Sequence, residues 1–234
     1  QKSFIIGFIY LILVFGIQHS MKEWRPFSLR APLTLWSFSL TWFSFIAASQ
    51  VWKQMAFVLL TKGFKRSVCG RSFFIHPVSK LWMYLFVLSK LVELGDTLFI
   101  VLRKKKLIFV HWYHHLATLI FGWYGYKDMA AGLGWNAALN LSIHCLTYTY
   151  YIVSAMGIRV PTSIAMLITT SQMVQMTGFV IMSIFMSFWK DDKLCQINGL
   201  FLAWSCGLYT TLLALFSNFF IKTYLSSTRK SKGD

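Results

Sequence analysis

Residues 107–126 read LIFVHWYHHLATLIFGWYGY, a run of consecutive positions without Lys, Arg, Asp or Glu. About 20 apolar residues in a helix match the hydrocarbon core of a bilayer, so the stretch reads as a spanning helix. It nevertheless holds His111, His114 and His115. Spacing of i, i+3 and i+4 puts these imidazoles on one helix face. Ionisable groups at bilayer depth are costly and face a protein interior or a cavity. A lone core histidine is usually structural, but a stripe of them inside lipid points to a site.

The same pattern extends outward. Further apolar stretches long enough to span cover, approximately, 3–18, 32–58, 78–102, 130–157, 163–188 and 197–221. Composition agrees: 56% of residues are hydrophobic, 18% aromatic and 13% charged, with a mean hydropathy of +0.57. Soluble domains carry about 25% charged residues. The expectation is an all-α membrane protein with seven transmembrane helices, a single polytopic domain over 1–234 surrounded by lipid bilayer. The stretch 32–58 turns amphipathic near Gln50 to Gln54 and is expected to bend there or end in an interfacial segment. Because the chain starts at Gln1 rather than Met, a preceding N-terminal segment is expected; residues 1–30 carry no cleavable signal pattern.

A net charge of +16 might suggest nucleic acid, but its distribution excludes that partner. The basic residues sit in short runs between apolar stretches, such as Lys62-Lys65-Arg66-Arg71 and Arg103 to Lys106, as in loops facing anionic lipid or an anionic substrate. With a cytosolic C-terminus, loop Lys and Arg divide 12 to 8 in favour of the cytosolic side. Residues 222–234 then form a basic cytosolic tail. Its end, Lys230-Ser-Lys232-Gly-Asp234, fits the KxKxx form of an endoplasmic reticulum retrieval signal, which places the chain in that membrane. The same topology puts Cys69 and Cys195 in lumenal, oxidising loops, and a disulfide between them is expected. No CxxC spacing suggests a zinc site. The sequon at Asn140-Leu-Ser142 lies mid-span, beyond reach of glycosylation.

Polar residues recur inside other spans. The third carries Lys90, Glu93, Asp96 and Thr97, including the only two carboxylates within any span. Periodicity puts Lys90, Glu93 and Thr97 on one face of a continuous helix, with Asp96 to one side. The fifth carries Asn140 and His144 one turn apart, then Tyr148, Tyr150 and Tyr151. The sixth carries Thr169, Thr170, Gln172 and Gln175, which taken alone would read as interhelical hydrogen-bonding glue. Histidine boxes also raise a di-iron desaturase or hydroxylase. Such sites need about eight histidines, as judged from similar membrane enzymes, and this chain has six, with His19 and His76 at span ends or in loops. No metal or other cofactor is expected. A seven-helix receptor or a transporter is the non-catalytic alternative; the histidine stripe speaks against the first and the lack of visible repeats against the second.

The motifs KxxExxDT (from Lys90), HxxHH (from His111), NxxxHxxxYxYY (from Asn140) and TxxQxxQ (from Thr169) occur in that order. Together they resemble the ELO family of very-long-chain fatty acid elongases over essentially the whole chain. Thr147 stands where the family has Met, a change that removes no reactive group. The stretches 103–115 and 126–132 resemble the branch acting on saturated and monounsaturated acyl chains. The resemblance implies helices enclosing a long acyl tunnel, with CoA entering from the cytosolic side. It also implies condensation of acyl-CoA with malonyl-CoA to 3-oxoacyl-CoA, CoA and CO2. Partners would be the ketoreductase, dehydratase and enoyl reductase of the cycle.

A mechanism fits these residues. An apolar site disfavours the imidazolium and keeps histidine nucleophilic. His114 is the expected nucleophile, forming an acyl-imidazole in a ping-pong scheme, with His144 assisting proton transfer. Asn140 and Gln172 are candidate oxyanion donors. Asp96 or Glu93 would orient a histidine, while His111 and His115 line the site. Substrate contacts are expected from Lys90, Tyr148, Tyr151, Thr169 and Gln175. Arg103, Lys104, Lys105 and Lys106 would meet the CoA phosphates.

Overall fold

A computed structural model of the chain describes residues 2–195 and 197–225. The retrieval motif expected at Lys230 and Lys232 lies outside the described residues. About 82% of the described residues are helical, and no strand occurs among them.

The chain runs back and forth between two ends. α1 (Lys2–Ser20) leads by a turn into the long α2 (Arg30–Lys62), which stops where Gly63 adopts φ +79°. Short α3 (Phe64–Cys69) and α4 (Ser72–Ile75) cross that end. Pro77 then opens α5 (Pro77–Val92), where its missing N–H costs nothing. The return is completed by α6 (Gly95–Leu102), and α7 (Phe109–Lys127) goes back again. The backbone N–H of Gly132, at φ +80°, donates to the Val68 carbonyl (2.9 Å) and starts α8 (Leu133–Ala155) beside α3. Pro161 precedes α9 (Thr162–Trp189). The Asn198 side chain accepts from the Leu200 N–H (2.9 Å) and caps α10 (Gly199–Phe220), which ends in a π-helical turn, Ile221–Leu225.

Contacts across the chain define the two ends. At one, the Phe27 N–H donates to the Leu102 carbonyl (3.1 Å) and Lys104 Nζ to the Lys22 carbonyl (3.0 Å). At the other, Cys69 is joined to Cys195, with Cα atoms 4.6 Å apart, and Lys65 Nζ donates to Asp192 (2.6 Å). That hydrogen bond from Lys65 holds the Asp192 carboxyl below the usual carboxylate range.

Large apolar side chains cover the outside, among them Phe8, Leu35, Trp42, Leu167 and Phe188. Water would not tolerate that surface, and lipid demands it. By length and composition, four helical stretches suit a membrane span: α1, α2, α9, and α10 with its π turn. The other three passages, α5–α6, α7 and α8, carry the polar residues that lower their apolarity. α2 does not end near Gln50–Gln54, one of the two outcomes expected from sequence. The helix continues through Gln50–Gln54 because its amphipathic face packs along α8: Val51, Met55 and Val58 are buried, and Trp52 Nε1 donates to Ser142 Oγ (2.9 Å).

Candidate active site

The passage expected as one continuous third span is broken between Val92 and Gly95. Tight i to i+3 bonds bridge the break: Leu94 N–H to Leu91 O (3.3 Å), Asp96 N–H to Glu93 O (3.1 Å) and Thr97 N–H to Leu94 O (3.3 Å). The break separates residues that an unbroken helix would align. Glu93 turns toward Lys90, whose Nζ donates to both carboxylate oxygens (2.7 and 2.9 Å) and to Asn140 Oδ1 (2.7 Å). Asp96 turns toward α2 and α8, where Oδ1 accepts from Trp36 Nε1 (2.7 Å) and Oδ2 from the Tyr148 hydroxyl (2.6 Å). Thr97 leaves the cluster and shares a hydrogen bond with the Tyr10 hydroxyl (2.7 Å). Gly95 matters here because Trp36 lies against it: a Cβ would come 2.6 Å from Trp36 Cζ2. Lys90, Glu93 and Asp96 are all buried, and charge at that depth persists only when paired and hydrogen-bonded.

The histidine stripe of α7 faces this cluster. Ring centroids of His111 and His115 lie 4.5 Å apart, those of His114 and His115 5.4 Å, and those of His114 and His144, on α8, 6.4 Å. His144 Nδ1 is 3.5 Å from Glu93 Oε2, and His115 Nε2 is 4.0 Å from Asp96 Oδ2. Neither is a hydrogen bond. Asp96 reaches the histidines also through Tyr148, whose ring packs on His144 at 5.5 Å.

A cavity of about 260 Å³ opens among these groups. All four of these histidines line it, with Asp96, Asn140, Tyr148, Tyr151, Thr169, Gln172 and Gln175. Among the described residues, His111 Nε2, His115 Nδ1, His144 Nδ1 and Gln175 Nε2 are buried without a hydrogen-bond partner. Such atoms are uncommon in proteins; Ser37 Oγ and Ser72 Oγ share this state elsewhere, and the other four of the six belong to residues on one cavity. The arrangement suits a ligand with polar atoms at that depth. Of the four histidines, only His114 also lines a second, narrower space, which shares Asn140, Gln175 and Met176 with this cavity. Lys90 lines the narrower space, and Glu93 lies behind Lys90. No group of three or more His, Cys, Asp or Glu suited to a metal occurs among the described residues.

Arg103 to Lys106 lie in the connection between α6 and α7, just before the start of the histidine helix. Lys105 and Lys106 are exposed, Lys104 is tied to the Lys22 carbonyl, and none of the four lines the cavity, although Ile108 does. Trp36 and Phe216 join the site unmarked by any sequence motif, while Thr147 and Tyr150 lie within the motif that begins at Asn140. Trp36 holds Asp96, Thr147 and Tyr150 line the cavity, and Phe216 meets the His114 ring edge-on at 6.0 Å. One more Trp or Phe in an apolar span carries no periodic signal that would mark it.

The model of the GNS1/SUR4 (ELO) family matches the chain over residues 1–232. The chain is 44% identical to very long chain fatty acid elongase 6 of Gallus gallus over 232 residues, covering 99% of this chain and 88% of that protein. The same identity holds to elongase 6 of Homo sapiens over 231 residues, 99% and 87% of the two chains. Very long chain fatty acid elongase 3 of Homo sapiens is 43% identical over 230 residues, 98% and 85% of the two chains.

Proposed function

The chain belongs to the GNS1/SUR4 (ELO) family, and from that premise we propose that it is a fatty acid elongase. It condenses a long-chain saturated or monounsaturated acyl-CoA with malonyl-CoA, giving 3-oxoacyl-CoA, CoA and CO2. The observation that carries this reading is the position of His114, between a polar cavity lined by histidines and amides and a second, narrower space. A thioester with its acyl chain inward and its CoA outward would place its carbonyl at that junction.

The chemistry rests on the side chains. A neutral His114 imidazole nitrogen attacks the thioester carbonyl, the C–S bond breaks, and CoA leaves with a proton. Malonyl-CoA next loses CO2, and the resulting enolate attacks the acyl-imidazole carbonyl. The N–C bond breaks, a proton taken up from solvent returns to the departing His114 nitrogen, and the 3-oxoacyl-CoA is released. His144 is the second catalytic group, moving the proton to the departing CoA. Asn140 has its Oδ1 engaged by Lys90, which leaves its N–H donors for an oxyanion, and Gln172 and Gln175 offer further donors. Lys90, Glu93 and Asp96 act as positioning residues, while His111 and His115 line the site.

The wider setting is part of the same proposal. Seven spanning passages enclose an acyl tunnel, the C-terminus is cytosolic and the membrane is that of the endoplasmic reticulum. The products pass to the reductases and dehydratase of the elongation cycle. Arg103 to Lys106 would reach CoA phosphates from the loop before α7.

The test uses the full chain in membranes with labelled malonyl-CoA and a long-chain acyl-CoA. Label is expected in a 3-oxoacyl product, with His114→Ala inactive. With malonyl-CoA withheld, intact mass should rise by one acyl group in the wild type. Turnover without any such adduct would exclude the covalent route.

A further inference from the structure

The space behind His114 is divided. The inner space, about 20 Å³, ends at Phe121, Asn136, Phe179 and Tyr209. The same side chains bound a third space of about 20 Å³, closed beyond by Gly132, Met182, Ser183, Met186 and Ser205. Between the two, the Asn136 amide donates to the Tyr209 hydroxyl, from α8 across to α10. The Tyr209 ring is held by Phe179 (centroids 4.8 Å apart) and Phe121 (5.4 Å).

The third space is small because flexible and small residues close it. Gly132 sits at φ +80°, and a Cβ there would come 3.3 Å from Met186 Sδ and Cε. The Ser183 and Ser205 hydroxyls, both buried, lie 3.3 Å apart. Unbranched methionine adapts its shape readily, so this floor can yield to an entering chain. Behind that floor, Met182 and Met186 pack against Cys69, Cys195 and Val68.

We propose that the Asn136–Tyr209 pair is a bar that sets the acyl chain-length limit, with the Gly132–Ser183–Ser205 space as an extension closed off behind it. This rests on the reading of the cavities as the site of an elongating acyl chain. A methylene cannot replace the hydrogen bond it would have to break, so a chain end reaching the bar meets two polar groups that would be left buried and unpaired.

The test is a panel of saturated acyl-CoAs of increasing length, each with labelled malonyl-CoA, on full-length protein in membranes. Tyr209→Ala is expected to raise the relative rate on the first acyl-CoA beyond the wild-type cut-off by about tenfold or more, the discrimination typical of added methylenes in an apolar pocket. Rates on shorter chains should be kept. Adding Ser183→Leu, which fills the space behind, should return the cut-off to its wild-type position. Where Tyr209→Ala does not accumulate as folded protein, Tyr209→Leu and Asn136→Ala are read in the same way, since each shortens one arm of the bar. A wild type that elongates normally and an unchanged cut-off in the folded variants would overturn the bar alone. A longer cut-off that survives Ser183→Leu would also overturn it, because the added room then lies elsewhere. A wild type that elongates no acyl-CoA at any length would overturn the elongase reading and this proposal with it.

Discussion

Lys90 is the residue on which the buried polar cluster turns. Its ammonium meets Glu93 twice and Asn140 once, all at hydrogen-bond distance. Removing one partner of a buried pair is far costlier than removing both, because the survivor keeps its charge without compensation. Lys90→Met should therefore destabilise the protein by about 3–5 kcal/mol, seen as a lower melting temperature in detergent. Lys90→Met/Glu93→Gln should recover most of that loss. Condensation should stay low in both, since Asn140 is no longer held by Lys90. A double variant with full stability and wild-type turnover would show that the cluster is only structural. The KxxE spacing makes this ion pair legible in the sequence, as adjacent turns of one helix must bring the two side chains together. The link from Lys90 to Asn140, fifty positions away, is not legible, because it depends on how α5 meets α8.

At the scale of elements, the break between α5 and α6 determines where the two acids point. The periodicity of Lys90, Glu93 and Thr97 predicts one continuous face, and the break overrides it by sending Thr97 to Tyr10 and Asp96 to Trp36 and Tyr148. Gly95 permits this by letting the Trp36 ring come against the backbone. Gly95→Ala should push Trp36 off Asp96 at a cost of about 1–3 kcal/mol, the usual penalty of overpacking. The expected kinetic result is a lower kcat with little change in KM for acyl-CoA, matched by Trp36→Phe. Because both changes act through the same contact, their combination should cost little more than either alone. Fully additive losses in that cycle would show that Gly95 acts elsewhere. The α7 stripe, by contrast, was fully legible: an i, i+3, i+4 pattern must share a face wherever the helix lies.

At the scale of the whole molecule, the contact of Lys104 with the Lys22 carbonyl marks one end and the Cys69–Cys195 bridge the other. The disulfide spans 126 residues of sequence and braces the wall behind Met182 and Met186. Cys69→Ser/Cys195→Ser should lower stability by about 2–5 kcal/mol. Reductant should lower the wild-type melting temperature in the same sense and leave the double variant unaffected. Equal melting temperatures for wild type and variant under non-reducing conditions would mean that the thiols are free in the protein.

Sequence alone determined that the chain is helical and lives in lipid, because an apolar run of span length and the lack of charge leave a bilayer as its only suitable solvent. It also determined which residue types cluster, since ionisable groups at that depth must turn inward. Ordered motifs were enough to suggest the family. Only the tertiary structure decided which acid serves which partner, that Trp36 belongs to the site, that α2 continues past Gln54, and that Asn136 and Tyr209 meet across the interior. Those features arise between helices far apart in the chain. Helical periodicity describes one face of one helix, and it contains no information about the neighbour that face will meet. The histidines at 111, 114 and 115 were visible as a stripe from the start; packing put His114, and not its neighbours, on the narrower space as well as the cavity.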